Sequence, residues 1–199
     1  MQLFKMAIGL TASVLVLSSC GAEDHTSFES NKNTASNAEG CNLVSTIDDN
    51  PLNIKVTADD SDAAKKFLET CKNPYNEIFE KDATALKKLG RRAYNYNNCT
   101  GCHGGKLEGV MAPGLKKQPV GGQSQWDNQW VYPKNATDKG MFETIAGGTP
   151  GKSGKGVMFK WHKQVEGHTG DGLTTDEILQ AIAYIRTKYE GTDGKPWLE

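Results

Sequence analysis

Residues 95–105 read NYNNCTGCHGG. Cys99 and Cys102 are separated by two residues, and His103 follows directly. Three chemistries use such an arrangement: a disulfide or redox dithiol, a zinc site, or covalent attachment of haem through two thioethers with the imidazole on iron. Zinc needs four ligands, normally in two neighbouring clusters, and no second Cys/His pair stands at that spacing. A thioredoxin-type dithiol needs a strand before the motif and a βαβ pattern around it. Here the motif follows a helical stretch at 83–97, in which Leu86, Leu89, Gly90, Ala93 and Tyr94 recur at helical spacing. Haem attachment asks only for what is present, and the sequence predicts one covalently bound haem c on Cys99 and Cys102 with His103 as an axial ligand.

The N-terminus places that chemistry outside the cytoplasm. Residues 1–20, MQLFKMAIGLTASVLVLSSC, combine a positive start at Lys5, a short apolar run and small residues, the pattern of an export signal. The ending Leu17-Ser18-Ser19-Cys20 resembles a bacterial lipobox, so Cys20 is expected to be lipidated and to hold the protein to a membrane from the periplasmic side; the alternative is an ordinary signal cut after Ala22. Polar residues 21–40 read as a disordered tether. No later stretch is long and apolar enough to span a bilayer. Of the five cysteines, Cys41 and Cys71 then remain, an even pair in an oxidising compartment, and a disulfide between them is the economical reading over two buried thiols.

Charge is divided along the chain. Residues 21–81 carry 12 Asp/Glu against 6 Lys, and residues 104–163 carry 9 Lys against 4 Asp/Glu. No block is basic enough to argue for nucleic acid. The lysine-rich half suits a rim that meets an acidic protein partner, and ordinary solvated surface is the alternative.

The periodicity predicts an all-α chain: an N-terminal extension over 41–80 and the haem domain over 81–199. In the extension a short strand is expected near 53–57, then a helix capped by Ser61 with Ala64, Phe67 and Leu68 on one face, Cys71 at its end and Asn73-Pro74 stopping it. No regular element is expected over 104–136. Thr137 caps the next helix, closed by Gly147-Gly148, and Thr174 and Glu177 form the capping box of the last one. Gly90 and Ala181 are small residues at which the first and last haem-domain helices could cross closely. Pro113 follows the motif by ten residues, where its carbonyl could accept the second ring proton of His103 and so orient it.

GRRAYNYNNCTGCHGG, APGL and TTDEILQAIAYIRTKY resemble the class I c-type cytochromes, whose N- and C-terminal helices cross around one haem. VYPKNATDKGMFETIAGG and FLETCKNPY resemble, within that class, the cytochrome cL family, and the resemblance covers roughly residues 61–190. It implies a mono-haem carrier, not an enzyme, that takes single electrons from a pyrroloquinoline-quinone (PQQ) methanol dehydrogenase and passes them to a small c-type cytochrome or an oxidase. The loop GGTPGKSGKGVMFKWHKQ looks closer to the branch serving lanthanide-dependent dehydrogenases. A carrier for another dehydrogenase, or a haem enzyme with an open sixth site, are the alternatives.

The sixth iron ligand has five candidates: Met111, Met141, Met158, His162 and His168. Met111 lies close behind His103, before Pro113. Met141 sits in a helix beside Phe142, where packing is its natural role. Met158 lies on the loop before the last helix, where class I cytochromes place their methionine, and His162 is the alternative there. Trp126, Trp130, Tyr132 and Trp161 are expected to wall the haem, with Tyr132, the indoles and Arg91 or Arg92 as donors to its propionates; core packing is the other reading of each aromatic.

Overall fold

The structure, a computed structural model, describes residues 40–116, 133–150 and 157–190, all within one unit spanning Ser36–Glu199. Among the described residues helices are the regular elements, linked by isolated bridge pairings. The expected strand at 53–57 does not form. Ile54 is buried and Val56 exposed, but among the described residues no neighbouring strand offers a ladder, and the Ile54 N–H turns back to the Leu52 carbonyl at 2.8 Å.

Helix α1 spans Asp62–Thr70. The Ser61 hydroxyl accepts from the N–H groups of Ala63 and Ala64, while Ala64, Phe67 and Leu68 turn inward. Cys71 closes it in the left-handed conformation, φ 60°, and forms the disulfide to Cys41 with the Cα atoms 5.0 Å apart. Pro74 ends this helix region and also opens another that periodicity did not reveal. With its φ of −64° already helical it leads into α2, Tyr75–Lys81, which buries Tyr75 and Phe79.

Helix α3 covers 83–96 in three parts: Ala83–Ala85 capped by Asp82, a π-helical turn Leu86–Gly90, and Arg91–Tyr96. The wider π turn shifts the register of the apolar stripe. Gly90, Ala93 and Tyr94 face the core, whereas Leu89, read from strict 3.6-residue spacing as a core position, is 40% exposed. After Asn98, at φ 59°, comes α4, Cys99–His103.

A short 3₁₀ turn at Pro133–Ala136, within the stretch expected to be irregular, leads into α5, Asp138–Gly147, where the Thr137 hydroxyl accepts from the Gly140 N–H at 3.0 Å. The last helix, α6, spans Thr175–Thr187 with both halves of the expected capping box present. It packs on α1, α2, α3 and α5. Its crossing with α3 is close because Gly90 has no side chain: a Cβ there would stand 2.6 Å from Phe79 Cε2 and 3.1 Å from Tyr184 Cβ. The close partner on α6 is therefore Tyr184, and Ala181 is a buried core residue. The extension shares this core, since Leu43, Ile54, Phe67, Tyr75 and Phe79 cluster with Tyr94, Phe142, Ile178 and Ile182.

One charged pair is buried in that core. Asp138, at the start of α5, lies 3.7 Å from Arg186 on α6 and accepts from the Asn73 N–H and the Asn76 amide. The Arg186 guanidinium also donates to the carbonyls of Asn135 and Thr137. Burial pushes the Asp138 carboxyl up to about 6 and the Arg186 guanidinium down to about 10. Burial opposes the charged form of each group, so the pair marks where α5 meets α6 and is weak evidence of added stability.

Candidate haem site

Cys99, Cys102 and His103 share the single helical turn of α4, which puts two thiols and an imidazole on one short, rigid piece of backbone. That turn is held from both sides. From α3, the fully buried Tyr94 donates its phenol O–H to the Gly104 carbonyl at 2.8 Å, and burial raises its pKa, so it stays a donor. From the other side, the loop 107–115 folds back: the N–H of Gly109 donates to the His103 carbonyl at 2.8 Å, and those of Val110 and Ala112 to the Cys102 carbonyl at 3.0 Å. Gly109, at φ 83°, makes this return possible, because a Cβ there would stand 2.6 Å from the Gly114 nitrogen. The loop delivers the Pro113 carbonyl to His103 Nδ1 at 2.7 Å. A carbonyl only accepts, so Nδ1 carries the proton and Nε2 is the nitrogen left with a lone pair for a metal. Burial lowers the His103 pKa, with the Pro113 bond acting in the opposite sense; the neutral imidazole is what iron binds.

The two thiols are not bonded to each other. Burial pushes the Cys99 thiol up to about 11, the reverse of the lowered value that makes a dithiol reactive. No cluster of three or more His, Cys, Asp or Glu able to hold a metal ion occurs among the described residues, which removes a zinc site from their compass. The donor set that remains, two thiols beside a half-buried imidazole whose ring is fixed by a backbone carbonyl, fits haem c.

The sixth-ligand candidates separate. Met111 is 75% exposed and Met141 is buried in the core. His162 is fully buried: its Nδ1 accepts from the Gln164 N–H at 3.1 Å, which leaves Nε2–H to donate to Thr175 Oγ1 at 3.2 Å. Both its nitrogens are committed to the protein, and burial lowers its pKa to about 4. His168 bonds the Val165 carbonyl through Nδ1 at 3.0 Å. Met158 is half-buried, and with Cys99, Leu115 and Trp161 it packs on the margin of the core. Its backbone is fixed by Thr149, whose N–H donates to the Met158 carbonyl at 2.9 Å and whose hydroxyl accepts from the Met158 N–H at 3.3 Å. Downstream, the Trp161 N–H reaches the Ile145 carbonyl at 3.2 Å and the Leu173 N–H reaches the Trp161 carbonyl at 2.6 Å.

Trp126, Trp130, Tyr132 and Cys20 lie outside the described residues. Arg92 lies over the Tyr96 ring, 5.4 Å from its centroid. Of the lysines expected to form a positive rim, Lys116 pairs with Glu190 at 2.9 Å and Lys139 with the buried Glu143, so part of that charge is spent within the protein; Lys117, Lys152 and Lys155 fall outside the described residues. The residues that sequence reasoning missed are Tyr94 in its bonding role, Thr149, and His162 as a structural group. Tyr94 stood in the helical stripe, but the reach of its hydroxyl to Gly104 depends on how α3 meets α4.

The family model for cytochrome c matches residues 88–188. Cytochrome c-L of Methylorubrum extorquens is 39% identical over 132 residues, 66% of this chain and 52% of that protein, so the chain spans about half the length of this curated relative. Two crystal structures are similar. Cytochrome cL from the marine methylotroph Methylophaga aminisulfidivorans superposes with a TM-score of 0.54 at 32% identity, covering 76% of this chain and 82% of that one. Cytochrome cL from Hyphomicrobium denitrificans gives 0.53 at 32% identity, covering 74% and 73%. A haem-attachment turn on a crossed-helix frame and these relatives agree: the chain belongs to the class I cytochromes c, in the cytochrome cL family, with haem c covalently bound.

Proposed function

We propose that this cytochrome accepts single electrons from a PQQ methanol dehydrogenase and passes them to a small c-type cytochrome or an oxidase in the periplasm. The dehydrogenase of the lanthanide-dependent branch is the partner favoured by the sequence of the loop before Met158. The observation that carries the electron-carrier half of this reading is the bond of His103 Nδ1 to the Pro113 carbonyl, which holds one fixed imidazole nitrogen ready for iron beside the two cysteines.

Haem c supplies a one-electron ferric/ferrous couple. In this assignment Cys99 and Cys102 would anchor it, and His103 Nε2 and Met158 Sδ would hold its iron. Tyr94 and the 107–115 loop keep the α4 turn from shifting as the charge on the site changes. The thioether of Met158 favours the reduced state more than a second imidazole does, which sets the potential higher than bis-histidine ligation gives. With both His103 and Met158 given to the iron, these residues would serve electron transfer in place of chemistry on a bound molecule. Trp126, Trp130, Tyr132 and Trp161 are the proposed pocket aromatics.

Residues 1–20 act as a lipoprotein signal in this reading and Cys20 carries the lipid that tethers the protein at the membrane. Among the described residues no helix is long and apolar enough to cross a membrane. The mature chain is expected to begin at acylated Cys20, and an intact mass matching an unmodified chain that starts at Glu23 contradicts the anchor. The carrier reading is tested by the ferric spectrum of the holoprotein: a sulfur-to-iron charge-transfer band near the red end is expected, and a spectrum of open-site, high-spin iron overturns it.

A further inference from the structure

We propose that Thr46 is a positioning residue for Met158: a disulfide-anchored strap over 41–52 fixes, through one peptide plane, the direction in which the methionine is presented. The proposal rests on the assignment of Met158 as the sixth ligand.

The strap is fixed at its origin and along its length. Cys41 is bonded to Cys71, and its N–H donates to the Leu68 carbonyl at 2.7 Å. Leu43 is buried in the core. The Val44 N–H donates to the carboxylate of the buried Glu143 at 2.8 Å, and the Leu52 N–H returns to the Leu43 carbonyl at 2.9 Å. Leu52 then lies against Gly147, where a Cβ would stand 3.3 Å from its methyls. From this closed loop the Thr46 hydroxyl donates to the Gly148 carbonyl, just past the end of α5.

The Gly148 carbonyl and the Thr149 N–H belong to the same peptide unit, which is planar and rigid. The carbonyl side of that plane is held by Thr46, and its N–H side donates to the Met158 carbonyl at 2.9 Å. Rotation of the plane would move both bonds together, so fixing one aims the other. No side chain cushions the contact: Gly148 adopts φ 74°, and a Cβ there would stand 2.6 Å from the Met158 oxygen. Thr149 completes the clasp by accepting from the Met158 N–H through its hydroxyl. The strap, 102 positions from Gly148 in sequence, thereby controls the backbone from which the Met158 side chain extends.

The test compares ferric holoproteins carrying Thr46→Val, Thr46→Ser and Gln164→Ala. Valine keeps the shape and removes the hydroxyl; serine keeps the hydroxyl. Gln164 exchanges hydrogen bonds with the Lys55 backbone, a contact between residue 55 and the later loop that does not involve Gly148. Cyanide can bind only when the methionine leaves iron, so its association rate reports how firmly Met158 is held. Thr46→Val is expected to bind cyanide roughly five-fold faster, the scale of one lost hydrogen bond, and to lose the charge-transfer band at lower alkaline pH; Thr46→Ser and Gln164→Ala should match the wild type. Wild-type cyanide rates in Thr46→Val, while Met158→Ala has lost the band, overturn the brace and leave the ligand standing. Equal acceleration in Gln164→Ala overturns it too, as general loosening. A band retained in Met158→Ala overturns the ligand assignment itself. If Thr46→Val yields too little holoprotein, Thr46→Ala is read by the same criteria.

Discussion

Met158 and Met141 carry the same side chain and are assigned opposite work, and their surroundings are the reason. Met141 is enclosed within the core, whereas Met158 lies half-buried at its margin on a backbone clasped by Thr149. Met158→Ala should abolish the sulfur-to-iron band and open the iron to cyanide. Met141→Ala should keep the band and lose about 2–5 kcal/mol of stability, the cost of a buried cavity; denaturation followed at the haem band measures both. His162 makes a separate prediction. Between about pH 4 and its ordinary value of 6.5 the unfolded chain binds a proton at residue 162 that the folded chain refuses, so this residue makes stability fall as the pH drops through that window. The buried Asp138 carboxyl, raised to about 6, acts in the opposite sense over much of that range, so the difference is what reports His162: as the pH falls from 6.5 to about 4, His162→Gln should lose less melting temperature than the wild type. An unaltered slope in the variant would place the acid sensitivity elsewhere.

At the scale of elements, much of the architecture was legible because its causes are local. Ser61, Thr137 and Thr174 cap the helices that the sequence assigns to them, since a cap acts on N–H groups two or three residues away. The Pro113 carbonyl could be anticipated because it lies only ten residues from His103. The π turn in α3 was not legible: an inserted register shift leaves the composition of the stripe intact and merely turns Leu89 outward. Nor was α2, a helix of seven residues, too short to display a period. Long-range bonds such as Thr46 to the Gly148 carbonyl or Asp138 to Arg186 leave no sequence pattern, because each partner alone reads as an ordinary polar side chain or a backbone group that every residue carries. The crossing of α3 and α6 gives the prediction for this scale. Gly90→Ala places a Cβ against the Phe79 ring and Tyr184, so overpacking should exceed the gain in helix propensity and leave a net loss of about 1–2 kcal/mol. Chemical denaturation checks it, and a variant more stable than the wild type would mean that the crossing is loose.

For the whole molecule, the extension and the haem-bearing helices share one core, and the Cys41–Cys71 bond closes a loop with a sequence separation of 30 between them. Replacing both cysteines by alanine should cost about 3–4 kcal/mol by restoring freedom to the unfolded chain, while haem remains attached. Loss of all holoprotein in that variant would show that the extension is needed for the haem-binding fold to form at all. The whole also decides how the partner is met. Lys116 and Lys139 are paired within the protein, so if an acidic partner surface is attracted, the remaining lysines should supply most of the effect, and added salt should weaken it. The proposed electron donor is what distinguishes this protein from a general carrier. The direct measurement is stopped-flow reduction of the ferric holoprotein by a purified PQQ methanol dehydrogenase supplied with methanol, beside a quinoprotein dehydrogenase acting on an unrelated substrate. The expected result is methanol-dependent reduction that saturates with cytochrome and is faster with the methanol enzyme, fastest with its lanthanide-dependent form. Equal, non-saturating reduction by both enzymes would contradict this donor and leave a general electron carrier.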